Sequence, residues 1–444
     1  RLYREKPFVM GFTEAEMEKY GLPLPASNDQ SENGGMGPNR VSVFSRKAPY
    51  HFGWDWGPRL VTSGIWRPIF LRTWDAARLE NALMLQVHHD GVVDVTIRPE
   101  IAGESAWSAE ITAPDGEVMI IPETTAAEQV VTIQNPQLWW PNGLGKQPLY
   151  RVTVRLASGD TRTWRIGLRT MTVSREKDEW GEEFCHVVNG VKVFAMGADY
   201  IPEDNILARV TPERTRRLLE DCKAANFNSI RVWGGGYYPD DAFYDICDEL
   251  GLLVWQDLMY ACAFYDLTPD FERSIRVETQ QNVARLHHHA SLALICGNNE
   301  MEMFMAGANS ALINHRTWEF VPTYPHHITD YVKMFEYILP AIVKETALLD
   351  DNSTDKIALT RAIEHAFMII DWDVDHFYDT VDDALATLKA ELAELKNTSE
   401  ITVNVVGHTH IDVAWLWRLK HTREKAQRSF ATVLRLMNEF DEYI

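Results

Sequence analysis

The sequence predicts a multidomain β plus α/β chain, and three observations carry that prediction. Short alternating strands separated by turn signals run through residues 76–172. After Val188-Asn189-Gly190 the pattern changes to strands and helices in alternation, four times over. The run Ser-Leu-Ala-Leu-Ile-Cys-Gly-Asn-Asn-Glu over 291–300 then reads as a buried strand that delivers a carboxylic acid at its carboxyl end. The length of 444 residues allows about three domains. A chain 45% hydrophobic and 24% charged is globular, not disordered.

Residues 1–75 are broken by Ser27-Asn28-Asp29, Asn33-Gly34-Gly35 and Met36-Gly37-Pro38-Asn39. Short β runs are expected at 41–44 and 66–72, as the last strands of a β-domain that begins upstream. Between them lies His51-Phe52-Gly53-Trp54-Asp55-Trp56-Gly57-Pro58, too rigid and aromatic for a linker. Residues 76–172 alternate, as at 93–97 and 150–154, with turns at Pro114-Asp115-Gly116 and Asn142-Gly143; that spacing predicts a β-sandwich.

From 173 to 345 the strands are expected at 193–196, 229–233, 252–257 and 292–296. Helices are expected at 211–225, where Thr211 caps and Pro212 opens, at 241–250, closed by Gly251, and at 270–286 and 329–342. Four βα steps make half of an eight-stranded barrel, whose chemistry belongs at the carboxyl ends of the strands. Residues 346–400 read as helical. A strand at 401–406 then runs into Gly-His-Thr-His-Ile-Asp at 407–412, and a helix follows at 422–440.

A net charge of −21 argues against nucleic acid and anionic membranes as partners. No apolar run approaches about 18 residues, so no membrane span is expected. The five cysteines have no CxxC pairing and read as reduced core residues. The chain opens at Arg1 without a signal-peptide pattern, and its true N-terminus is expected upstream, so the compartment stays open, with the cytoplasm slightly favoured. The 15 tryptophans exceed ordinary usage, and aromatic faces stack on sugar rings as well as in cores.

Arg231-Val232-Trp233-Gly234-Gly235-Gly236, Trp255-Gln256-Asp257 and Gly297-Asn298-Asn299-Glu300 together make residues 1–345 recognisable. They resemble the β-mannosidases of glycoside hydrolase family 2, supported by the strings at 50–58 and 138–143. The resemblance implies the end of a jelly-roll domain (1–75), an immunoglobulin-like sandwich (76–172) and the first half of a TIM barrel (173–345). Residues 346–444 instead resemble the zinc α-mannosidases of glycoside hydrolase family 38, through Gly407-His408-Thr409-His410-Ile411-Asp412 and Thr422-Arg423-Glu424-Lys425-Ala426. There a helical segment (346–400) leads into a truncated α/β unit (401–444), and the junction reads as a fusion of two truncated neighbouring genes.

The implied reaction is retaining hydrolysis of terminal β-linked mannose from a mannose-containing oligosaccharide or glycoside, without a cofactor. Glu300 takes the acid/base role by resemblance, and Asn299 the role of partner to the sugar 2-hydroxyl. Asp55 and Trp54 are expected to reach over the barrel mouth; Arg231 and Trp233 are expected to wall the terminal sugar. The nucleophile is not identified, because Glu302, Glu319, Glu336 and Glu345 all stand in unmatched contexts. Catalysis by the chain as it stands is therefore expected to be impaired. Gly234-Gly235-Gly236 lacks the lysine and hydroxyl of a phosphate loop. His287-His288-His289 is read as surface or rim. His410 and Asp412, two apart beyond a strand, present ligands suited to zinc. The alternatives are a zinc-dependent α-mannosidase fragment and an inactive sugar-binding remnant.

Overall fold

The computed structural model describes residues 46–301 except 55, 63, 68, 75, 178–180, 182 and 264, then 329–347 and the single positions 383, 386, 387 and 390. Seven strands come first: β1 (Ala77–His89), β2 (Val92–Gly103), β3 (Trp107–Thr112), β4 (Val118–Thr124), β5 (Gln129–Gln134), β6 (Tyr150–Leu156) and β7 (Thr161–Ile166). They form two antiparallel sheets, in the orders β1-β2-β5 and β4-β3-β6-β7. Inside–outside alternation along β3 and the first half of β2 puts Val93, Val95 and Ile97 in one core with Trp107, Ala109 and Ile111. One hydrophobic core is sealed between the sheets, with Val152, Val154 and Trp164 closing it.

Next come β8 (Met171–Ser174), β9 (Cys185–Val188) and β10 (Val191–Val193), a small antiparallel sheet. The strand expected at 193–196 is displaced from that position. The Asn189-Gly190 turn folds β10 back on β9, and the next strand, β11 (Gly197–Tyr200), begins only at Gly197. Glycine is required there, because a Cβ would collide with the Ser229 carbonyl of the neighbouring strand.

From β11 the chain alternates: α1 (Pro212–Ala224), β12 (Ser229–Val232), α2 (Asp241–Leu250), β13 (Leu253–Asp257), α3 (Pro269–Leu286) and β14 (Leu292–Cys296). The four strands make one parallel sheet in sequence order. Helix ends follow their expected chemistry. Thr211 and Thr268 accept from the backbone N–H groups of Arg214 and Phe271, each just ahead of a proline, a cap worth about 1 kcal/mol. Gly251 closes α2 in the left-handed region at φ 77°. Helices α1 and α2 bury Leu219, Phe243, Ile246 and Cys247 against Ile230, Val232 and Val254. A π-helical turn over Val332–Ile338 leads into α4 (Leu339–Ala347) and packs Met334, Phe335 and Ile338 against Tyr260, Tyr265 and Met301.

The sandwich is fastened to the amino-terminal side of the parallel sheet. Trp139, fully buried, donates its indole N–H to the Asp248 carbonyl at 2.8 Å. The Arg169 guanidinium donates to the carbonyls of Ala290 and Leu292 at 2.8 and 2.6 Å. These contacts grip the start of β14 and leave the carboxyl ends of the strands unencumbered.

Other expectations are corrected. The described part of 66–72 forms no strand, and Ile69, Phe70 and Leu71 are exposed, with no strand paired to them among the described residues. His289 is buried, not at the rim: its Nδ1 lies 2.7 Å from the buried Asp248 carboxylate. Residues 41–44, 401–412 and 422–440 lie outside the described residues, as does all of 346–400 beyond Ala347 except the four single positions, which are helical. No helix among the described residues is long and apolar enough to cross a membrane. All five cysteines are free.

Burial holds several histidines neutral in the folded chain. His51 is pushed down to about 4 by burial, with Lys47 adding to the effect. Burial lowers His186, His287 and His288 as well. An unfolded histidine binds a proton near pH 6.5 and these folded ones do not, so acid favours unfolding. For His51 each pH unit in that window costs at most about 1.4 kcal/mol, and the other three act in the same direction. Stability is thus expected to be full above pH ~6.5 and to fall steadily toward pH ~4. Urea unfolding midpoints at a series of pH values check this, and a flat profile across the window contradicts it.

Candidate active site

In a parallel sheet flanked by helices, side chains just past the carboxyl ends of the strands face open space and can meet a ligand. Four strand ends contribute here. Register pairs Asp199 of β11 with Arg231 of β12, and Arg231 with Trp255 of β13. Alternation then carries Asp257 to the same face as Trp255.

The Arg231 guanidinium forms a fork on Asp257, from Nε at 3.2 Å and Nη2 at 2.7 Å. Nη2 also donates to Asn299 Oδ1 at 2.8 Å, and Nη1 lies 3.5 Å from Asp199. Asp257 is completely buried and accepts two further bonds, from Trp255 Nε1 at 2.9 Å and the Gly234 N–H at 3.0 Å. Burial pushes its carboxyl up, while those donors pull it down. Four N–H donors converging on two carboxyl oxygens fit the ionised form. Burial alone would weaken the charge on Arg231, but the Asp257 carboxylate outweighs it and leaves the guanidinium more firmly protonated than usual.

Asn299 is buried, and this network fixes its amide, with Oδ1 turned to Arg231. Backbone bonds extend the β13–β14 pairing past the strand ends: Asn299 N–H to the Tyr260 carbonyl and Cys262 N–H to the Asn299 carbonyl, both 2.9 Å. Glu300 follows at φ 57°, in the left-handed region, which costs a non-glycine residue about 1–3 kcal/mol. Its neighbours hold it there. Asn299 is locked from one side, and Met301 is buried in the core with its N–H on Asn298 Oδ1 at 3.2 Å. The carboxylate between these two anchors is exposed.

An aromatic strap from 46 to 58 crosses this rim. Arg46 binds Glu278 through both guanidinium arms, at 2.7 and 2.5 Å, and stacks over Tyr260. The Tyr50 N–H donates to the Gly235 carbonyl at 3.2 Å. Trp54 and Gly57 exchange backbone bonds at 3.0 and 3.2 Å, turning the chain tightly over Trp233. Trp54 meets Trp233 edge to face at 4.8 Å, and both are buried in a cluster with Tyr50, Ala261 and Cys262.

The structure thus brings Glu300, Asn299, Arg231, Trp233 and Trp54 to one rim. Two of these stand differently from the expectation: Trp54 and Trp233 are a buried buttress, and Trp56, 38% exposed at 5.8 Å from Trp233, is the open aromatic face. Arg231 serves chiefly to clamp Asp257 and Asn299. Asp55, His410 and Asp412 lie outside the described residues, as do Glu302 and Glu319. Glu336 is exposed on the π turn, whose Met334 and Phe335 are buried. Asp257 and Cys262 were not singled out as site residues by sequence. The signal for Asp257 was present, as an acid closing a strand just as Glu300 follows β14.

Two other features lie away from this rim. A groove of about 420 Å3 between α1, α2 and Arg165 is lined by Arg216, Glu220 and Glu249, on the outer helical face. Asp245, Asp248 and His289 also converge, but protein partners occupy them: Arg165 on Asp245 at 2.8 Å, the Ser291 N–H and His289 on Asp248.

Three segments of the chain are similar to known families. Residues 12–67 match the family described as glycosyl hydrolase 2 galactose-binding domain-like, and residues 69–169 match glycosyl hydrolases family 2. Residues 400–444 match the N-terminal domain of glycosyl hydrolases family 38. Two segments similar to family 2 domains thus precede one similar to family 38. More particularly, the chain is similar to Beta-mannosidase B of Aspergillus clavatus, 37% identical over 325 residues, covering 69% of this chain and 38% of that protein. The Aspergillus fumigatus Beta-mannosidase B is 41% identical over 293 residues, covering 62% and 34%. The crystal structure of a Beta-D-Mannosidase from Dictyoglomus thermophilum superposes with a TM-score of 0.62 at 32% identity, covering 75% of this chain and 40% of that one. The chain spans well under half the length of each of these relatives.

Removing Arg231 would leave the Asp257 carboxylate buried without a counter-charge. Arg231→Gln is expected to cost about 3–5 kcal/mol, and Arg231→Lys to recover only part of it, because an ammonium cannot reproduce the fork. Urea titration of both variants checks the ordering; equal stability of Arg231→Gln and the parent contradicts it.

Proposed function

We propose that residues 173–345 are the first half of a (β/α) barrel of a retaining exo-β-mannosidase, with Glu300 as its acid/base. The observation that carries this reading is an exposed carboxyl held between two buried anchors at the carboxyl end of β14. It shares a rim with an orientated amide and an aromatic face, in a chain 37–41% identical to Beta-mannosidase B. The substrate class is a glycoside or oligosaccharide with terminal β-linked mannose.

Glu300 gives its proton to the glycosidic oxygen as the bond from the anomeric carbon breaks. A second carboxylate, about 5–5.5 Å away, attacks that carbon. Glu300, now ionised, takes a proton from the incoming water, whose oxygen releases the sugar. Asn299 keeps an amide N–H to offer a sugar hydroxyl, and Trp56 offers a face for the ring. None of Glu302, Glu319, Glu336 and Glu345 is assigned as the partner. With no nucleophile assigned to act with Glu300, turnover by this chain is expected to be low.

A second reading follows from the match at 400–444: a zinc α-mannosidase fragment. There His410 and Asp412 would supply one nitrogen and one oxygen ligand, and the metal's chemistry would be to hold mannose hydroxyls. It accounts for far less of the chain. The junction near 345 then marks a fusion of two genes. Sequencing the source DNA across it tests that, and one continuous native frame contradicts it.

Hydrolysis of aryl β-mannoside that is insensitive to chelator and falls at least about a hundredfold in Glu300→Gln is the expected outcome. Chelator-sensitive hydrolysis of aryl α-mannoside would support the second reading. Binding without any turnover would support an inactive sugar-binding remnant.

A further inference from the structure

Cys262 and Glu300 are two non-glycine residues in the left-handed region, at φ 46° and 57°, and they face each other across the rim. The backbone bonds between 260–262 and Asn299 fix their approach. Within that frame the Cys262 thiol donates to Glu300 Oε2 at 3.4 Å. Its sulfur accepts from Asn299 Nδ2 at 3.3 Å. Packing alone explains neither contact, since an apolar side chain would fill the same space beside Trp54 and Trp233. A thiol both donates and accepts, weakly in each direction. A weak donor orientates a carboxyl group without locking it into the ionised form, which a group that must gain and lose a proton requires.

We infer that Cys262 is a positioning residue that couples Glu300 to Asn299. Its S–H sets the orientation of the Glu300 carboxyl, and its sulfur holds the Asn299 amide turned against Arg231. Proton donor and hydroxyl-binding amide therefore keep one mutual geometry. The inference rests on the acid/base reading of Glu300 for its catalytic meaning, whereas the contact itself does not.

The infrared S–H stretching band of Cys262, isolated by subtracting the spectrum of Cys262→Ala, tests the contact without any turnover. Should Cys262→Ala fail to fold, Cys262→Ser provides the subtraction. The band is expected to lie at the position of a hydrogen-bonded thiol and to move upward as the carboxyl is protonated. In Glu300→Gln that pH dependence should vanish. A band at the free-thiol position, or one indifferent both to pH and to Glu300→Gln, overturns the inference.

Turnover of aryl β-mannoside supplies the second arm. Losing the thiol should lower kcat about tenfold in Cys262→Ala while KM changes little, the mark of a lost orientation and not of lost binding. Cys262→Ser, which also donates and accepts, should recover most of that kcat. An unchanged kcat per folded molecule in Cys262→Ala, or a loss that Cys262→Ser does not relieve, overturns a positioning role. A parent without turnover counts against the reading of the site, and the infrared result then decides the contact by itself.

Discussion

The Arg231 guanidinium is the point on which the rim of the parallel sheet depends. It ties the end of β12 to a fully buried carboxylate on β13 and to the amide that follows β14. Three successive strand ends are thus bound through one planar group whose donor fork matches the carboxylate. A lysine could neutralise Asp257 but could not also orientate Asn299. The amide carries the geometry forward, since its backbone pairs with Tyr260 and Cys262 and places Glu300 next in line. A buried ion pair is a weak source of stability; its value here is in fixing one arrangement.

The remaining fold supports that arrangement from two directions. Trp139 and Arg169 fix the sandwich to the amino-terminal side of the sheet and leave the opposite end to the strap. The strap from 46 to 58 covers that end with Trp54 and Trp233 packed edge to face, and leaves Trp56 as the outward ring. The left-handed backbones of Cys262 and Glu300 are tolerated because their neighbours are buried and hydrogen-bonded on both sides.

Much of this was legible in the sequence where a local rule governs. Thr211 with Pro212 and the glycine at 251 announced helix ends, and the short segments at 229–232 and 292–296, set between helical stretches, announced strands. Glu300 and Asn299 were legible because their position follows from where β14 stops. What failed was whatever depends on partners distant in sequence. Arg231 meets Asp257 and Asn299 across separations of 26 and 68 residues, and alternation within one strand gives no register between strands. His289 looked like one of three polar neighbours, and only Asp248, 41 residues away, makes its burial possible. Trp54 is expected from sequence to reach over the barrel mouth and Trp233 to wall the sugar, but nothing local shows that the two rings, far apart in the chain, pack on each other.

The central claim is that Glu300 hands a proton to the departing oxygen. Leaving-group dependence tests it most directly, with Glu300→Ala assayed on β-mannosides whose aglycones range from poor to highly activated. Acid catalysis matters most for a poor leaving group, so the deficit relative to the parent should be large there and shrink toward nothing as the aglycone acidity rises. A deficit of constant size across the series would show that the carboxyl does something other than donate that proton.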